Sequence, residues 1–164
     1  MTPSIAQNTS FSPDSRVWVY TASRPLTAEE SAFAQKNLDA FCQQWTAHNH
    51  ALKAKAEVFE NQLIILMVDE TQAGASGCSI DKSVHFLEQL GEAIGADFFE
   101  RMRFGWLNPH GEMQFAHRPE FTTLVQEGKI SADTLVADSL VQTKSQLLEK
   151  WLFPFDKSWH KRLV

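Results

Sequence analysis

The longest apolar run in the chain is Leu63 to Val68, inside "LIILMVDE", and it limits the fold more than any other stretch. Six residues fall far short of the ~20 needed to cross a bilayer. A short continuous run of this kind, closed by polar residues, reads as a central buried strand, here ending in the solvated acids Asp69 and Glu70. A central strand needs neighbours. "ALKAKAEVFE" (Ala51 to Glu60) lies just upstream, joined through Asn61-Gln62 at the spacing of a tight hairpin. "RVWVYTAS" (Arg16 to Ser23) is β-branched and aromatic, a third strand that Arg24-Pro25 ends.

Two helices are predicted between and after these strands. Thr27-Ala-Glu-Glu30 is a capping box, in which the Thr27 hydroxyl accepts from the Glu30 amide and the Glu30 carboxylate reaches back. The helix that follows places Phe33, Leu38, Phe41, Cys42 and Trp45 on one stripe and is expected to end near His48, with His48 and His50 at its negative pole. The second helix is expected to start at Ser79, carry Ile80, Val84, Leu87, Leu90 and Ile94 on its apolar face, and stop at Gly95. "FERMRFGWL" and "GEMQFAHR" then form a second hairpin around Asn108-Pro109-His110. The order is βαββαβ plus one strand, which predicts an α+β class with a ferredoxin-like core, an antiparallel sheet with helices on one face. Residues Asp133 to Gln142 read as strand or helix. Thr143 with Gln146 caps a short helix, Pro154 stops it, and the basic, aromatic "FPFDKSWHKR" reads as a C-terminal strap.

Composition narrows the functional classes. With 15 Lys+Arg against 20 Asp+Glu, the net charge of −5 argues against nucleic-acid binding, which needs a positive field. Hydrophobic residues make up 43% and charged residues 21% of the 164, so one folded domain is expected over 16–164. The polar "MTPSIAQNTSFSPDS" ahead of it has no basic start and no apolar core, and reads as a disordered or loosely ordered tail, not a signal peptide. Cys42 and Cys78 form no CxxC or Cys/His ligand pattern, so no metal and no cofactor are expected, and a reduced cytoplasmic protein fits best.

The chemistry-bearing stretch is "GASGCSIDKSVHF" (Gly74 to Phe86). A phosphate loop needs a second glycine directly before its Lys-Ser pair, and here Asp81 stands there, before Lys82-Ser83. In such enzymes the loop also precedes the Asp-Glu strand, whereas here it follows. An ATPase is therefore not the reading. Cys78 sits beside a helix start, where the dipole can activate a thiol. The nearest histidine in sequence, His85, is seven residues on, about 10 Å along a helix axis, and cannot serve as its base. The amides and hydroxyls of Gly74, Ser76, Gly77 and Ser79, with the charge of Lys82, are a candidate site for a small anionic ligand. In an ordinary capped helix, Ser79 is instead the N-cap.

"RVWVY", "QWTAH", "VDETQAGASGCSIDKSVHF" and the closing "VQTK…KW…SWHKR" together resemble an uncharacterised family of Bacteroidetes proteins often labelled "ABC transporter ATPase". The resemblance runs from Arg16 to Arg162. It implies a small cytoplasmic protein of unassigned activity, not a transport ATPase, because the complete phosphate loop and the Ser-Gly-Gly signature loop are missing. It assigns no residue roles. Three expectations follow: a non-catalytic protein binding a small anion through Gly74, Ser76, Gly77, Ser79 and Lys82; a cysteine enzyme using Cys78; or a protein-interaction module, a homodimer or one with another protein as partner, working through a sheet face or the C-terminal tail.

Overall fold

The computed structural model describes residues 1–164. The elements are α1 (Ser4–Gln7), β1 (Arg16–Thr21), α2 (Ala28–Gln44), the two-residue strands β2 (Thr46–Ala47) and β3 (His50–Ala51), β4 (Lys53–Phe59), β5 (Leu63–Asp69) and α3 (Gly77–Ile94). After these come β6 (Arg103–Leu107), β7 (Met113–His117), α4 (Arg118–Gln126), β8 (Leu135–Ala137), α5 (Lys144–Glu149), β9 (Leu152–Pro154) and two 3-10 helices, Phe155–Lys157 and Trp159–Leu163.

The apolar run forms β5, the middle strand of an antiparallel sheet ordered β1-β5-β4. It is buried along its whole length because both faces are covered. Ile64, Leu66 and Val68 meet Leu38 of α2 and Leu87 and Leu90 of α3. Leu63, Ile65 and Met67 meet Met113, Ala137 and Trp151 on the other side. The hairpin into β5 turns on Glu60 and Asn61, both at φ 56°, one residue earlier than expected. The Thr27–Glu30 capping box is present, and Gly95 ends α3 at φ 80°, in the left-handed region that suits glycine.

The strand after α3 does not return to this sheet. β6 joins a second antiparallel sheet, ordered β7-β6-β8-β9, so the molecule stacks helices, sheet, sheet and a last layer of α4 with the 3-10 helices. β6 has apolar residues on both faces and needs cover on both. Phe104 and Trp106 pack with Phe121 of α4, while Leu107 faces the first sheet. Gly105 makes the close stacking workable: a Cβ there would lie 2.9 Å from Phe115 and 3.0 Å from Met113.

Several local expectations shift for identifiable reasons. α2 ends at Gln44 because Trp45 turns extended (φ −72°, ψ 126°), its indole N–H donating to the Ser79 carbonyl at 2.8 Å. His48 and Asn49 therefore sit in the left-handed turn of the small β2–β3 hairpin, not at a helix end. The buried stripe of α2 is Ala34, Leu38 and Cys42, leaving Phe33 exposed. α4 was hidden behind the hairpin pattern; Pro119 at its start marks it. Residues 135–137 are strand, the first of the two alternatives.

Residues 1–15 are an integral part of the fold and not a loose tail. Ile5, Ala6 and Phe11 are buried in the core between the sheets. Glu57 of β4 accepts from the Ile5 amide at 2.7 Å, and Asp69 accepts from the Ser12 amide at 3.0 Å. The buried Lys144 ammonium donates to the carbonyls of Thr9 (2.9 Å) and Phe11 (2.6 Å). Lys144→Ala leaves those carbonyls without their donor, and is expected to cost about 1–3 kcal/mol. Limited chymotrypsin digestion checks this: the variant is cut at Phe11 faster than the parent, and equal rates refute the strap.

Candidate functional site

The start of α3 is a closed local network. Ser76, not Ser79, is the N-cap, so the helix begins before Cys78. The Ser79 amide donates to Ser76 Oγ at 3.2 Å, the Ser76 amide to Ser79 Oγ at 2.7 Å, and the Ser79 hydroxyl to the Ser76 carbonyl at 2.8 Å. Both hydroxyls that an anion would use are thus engaged with each other's backbone. Glu70 accepts from the Ala75 amide at 2.8 Å and lies 3.8 Å from Arg16, so its carboxylate also closes this loop. Gly74 packs against that carboxylate: a Cβ would meet Glu70 Oε2 at 3.0 Å. Gly77, Cys78 and Lys82 are exposed, and the principal hollows of the surface are lined by other residues.

The Asp-Glu end of β5 is equally structural. Asp69 is buried, not solvated; the Ser12 and Thr71 amides hold its carboxyl down to about 2, with Lys53 3.7 Å away. Cys78 is an exposed free thiol whose Sγ takes part in no hydrogen bond. Cys42 is buried, and burial pushes its thiol up to about 12. No three His, Cys, Asp or Glu side chains converge on a point that could hold a metal ion.

A different feature stands out at the edge of the first sheet. β1 pairs with β5 on one side only. On its other side, Arg16 bridges Thr143 and the Val17 amide donates to the Gln142 carbonyl at 2.9 Å, which sets the odd-numbered residues of β1 facing outward. Further along, the Thr21 carbonyl accepts from the Glu100 amide at 3.3 Å. Between these two contacts the Val17 C=O, the Val19 N–H and C=O and the Thr21 N–H face outward with no main-chain partner.

Two hollows share this edge. One of about 420 Å³ runs from Arg16 to Tyr20 against residues 139–143, and one of about 550 Å³ runs from Val19 to Thr21 against residues 98–102, Leu140, Trp159 and Leu163. Leu140 (63% exposed) and Met102 (44%) stand over them as unpaired apolar side chains. The charges lining the pair are Arg16, Arg101 and Glu100. Glu100 is already occupied, accepting from the Met102 amide at 2.9 Å and lying 3.8 Å from His117. The C-terminal segment is both strap and wall here: Arg118 donates to the Leu163 carbonyl at 2.7 Å, and Trp159 Nε1 donates to Asp138 at 3.0 Å.

No protein-family model, no curated protein and no solved structure matches the chain. The family resemblance drawn from its segments therefore adds no residue roles to the site. Sequence reasoning named the strand and the strap but not their meeting. The available signals were the apolar pair Leu140-Val141 between Asp138 and Gln142, and the Arg24-Pro25 that follows the strand after Ala22-Ser23.

Proposed function

We propose that this chain is a non-catalytic binding module that takes an extended segment of another protein as an added strand along the free edge of β1. The observation that carries the reading is the outward-facing, unpaired main chain of Val19 and Thr21 lying beside an apolar groove. Strand addition uses these two elements together: main-chain hydrogen bonds hold the guest, and pockets for alternate side chains select it. The guest is inferred to be acidic as well as apolar. Arg16 already lies 3.8 Å from Glu70, whereas Arg101 forms no ion pair and is the cation left to meet a guest carboxylate, with Glu100 turned to the Met102 amide. A second copy is the poorer guest, because two-fold pairing centred on Val19 carries Arg16 of each copy to the Thr21 end of the other, where Arg101 already lies. The helical frame behind the edge, β1-α2-β4-β5-α3, is read as the first part of a ferredoxin-like unit whose fourth-strand position is left for the guest.

The test uses a short synthetic peptide alternating leucine or valine with glutamate, titrated into 15N-labelled protein. The Val19 and Thr21 amide resonances are expected to move, and Leu140→Asp or Arg101→Glu to weaken binding at least about tenfold, a loss of ~1.4 kcal/mol. Peptide shifts that avoid the edge sink the proposal, as does a stable homodimer whose interface buries it. A thermal shift with phosphate or acetate that Lys82→Ala abolishes moves the assignment to the start of α3.

A further inference from the structure

The two larger sheets have four rim strands, and three of these are guarded. β1 is framed by its contacts with Gln142 and Glu100. On β4 the Gln35 side chain stands in for a strand, its Nε2 donating to the Ala56 carbonyl at 3.0 Å and its Oε1 accepting from the Val58 amide at 2.8 Å. β9 ends in Pro154, which has no N–H to give. β7 carries no such device. The Arg118 amide donates to the Met102 carbonyl and the Asn108 amide to the Glu112 carbonyl, so the even-numbered residues of β7 bond to β6. The Met113 and Phe115 N–H and C=O groups and the His117 N–H therefore face outward with no main-chain partner. The His117 carbonyl, at the N-cap of α4, belongs to the first turn of that helix. Edge strands are ordinarily defended by charge, proline or a bulge. Met113-Gln-Phe-Ala-His117 has no Lys, Arg, Asp, Glu or Pro, and its register with β6 is unbroken.

We propose that β7 is a homodimer interface, pairing antiparallel with the same strand of a second copy about a two-fold axis at Phe115. In this register Phe115 exchanges two main-chain bonds with its own copy, and each His117 amide donates to the partner's Met113 carbonyl. The sequence is complementary to itself under that operation. Glu112 stands opposite the partner's Arg118, once on each side of the axis, at positions of the non-hydrogen-bonded kind, where side chains lie closest. Both residues are exposed, and neither forms an ion pair within its own chain; Arg118 uses only its Nε, on the Leu163 carbonyl. Gln114 stands opposite the partner's Ala116, so no like charges meet. A foreign strand finds the same open bonds, but the self-complementary charges single out a second copy. The pairing joins two four-stranded sheets into one whose outer strands are both β9, ending in Pro154, so growth stops at two copies. The interface does not involve β1, and it stands or falls separately from strand addition there.

Sedimentation equilibrium on the full chain is expected to show a dimer, and exchanging the charges tests its register. Glu112→Lys and Arg118→Glu, each alone, set like charges opposite one another on both sides of the axis and are expected to raise the dimer Kd about tenfold. Both positions are exposed, so the variants are expected to fold. The double variant Glu112→Lys/Arg118→Glu restores opposite signs and should recover the dimer, although it still lacks the Arg118 bond to Leu163. A merely structural role for that bond predicts no such rescue. Hydrogen exchange at the Phe115 and His117 amides should slow as the dimer forms, while exchange at Val19 and Thr21 stays unchanged. A monomer at millimolar concentration, a dimer indifferent to both single variants, or one that protects Val19 in place of Phe115 overturns the proposal.

Discussion

Truncating Phe121 to alanine is expected to lower Tm by about 6 to 20 °C, the consequence of a loss of 3–5 kcal/mol in a chain of this size. Phe121 is fully buried and lies at the centre of the outermost core. Its ring meets Phe104 at 5.2 Å, Trp106 at 5.7 Å and Phe155 at 6.0 Å, all near edge-to-face, so one truncation breaks contacts with β6 and with the C-terminal 3-10 helix together. Phe121 is the one fully buried residue of α4, with Leu124 and Val125 packed half-buried beside it. Differential scanning calorimetry checks the figure. A drop of only a degree or two means that α4 does not cover β6.

Acid is expected to act through His160 well before the carboxylates titrate. Burial among Phe104, Phe121 and Trp159 pushes its ring from 6.5 down to about 4, against the upward pull of Asp138. The folded state therefore holds the neutral ring, while the unfolded chain takes up a proton from pH 6.5 downward. The unfolded state binds more protons throughout this window, so stability is full above pH 6.5, falls as pH drops to about 4, and is flat in this group below that. The loss is about 3 kcal/mol. Asp69 and Glu30, each held at about 2, contribute at lower pH, where their stabilisation disappears on the way from the ordinary carboxylate range to 2. Urea midpoints at stepped pH give the slope, and His160→Phe should flatten it between 6.5 and 4. An NMR titration that puts the His160 ring at its ordinary value refutes the account without any variant.

The first half of the fold was legible because its signals are local. The run Leu63–Val68, the Thr27–Glu30 box and the Gly95 stop each act within a few residues, and each is where the pattern put it. The second sheet was not legible. Whether β6 returns to β1 or founds a new sheet depends on the partners it meets, here β7 and the later strand β8, and no local pattern in β6 announces that choice. The N-terminal fifteen residues misled for a related reason. Their buried apolar residues are only Ile5, Ala6 and Phe11 among polar neighbours, and what orders them is a lysine at 144 and carboxylates at 57 and 69. The candidate site followed the same rule. The Gly-Ser stretch looked reactive because sequence displays hydroxyls and hides their partners, and Ser76 and Ser79 turn out to bond each other. The unpaired amide of Val19 carries no mark in the sequence, since openness belongs to the assembly of strands and not to a residue.

An unpaired strand edge is also where proteins begin to aggregate, since any passing chain can extend the ladder. Here the opening is framed: residues 98–102 close one end, residues 139–143 the other, and only the Val17 carbonyl, Val19 and the Thr21 amide are left to offer bonds. A long flat strand cannot lie along so short a gap, and a guest that fits leaves no room for the next. The geometry that admits one partner therefore also denies the open-ended stacking by which sheets grow into fibres.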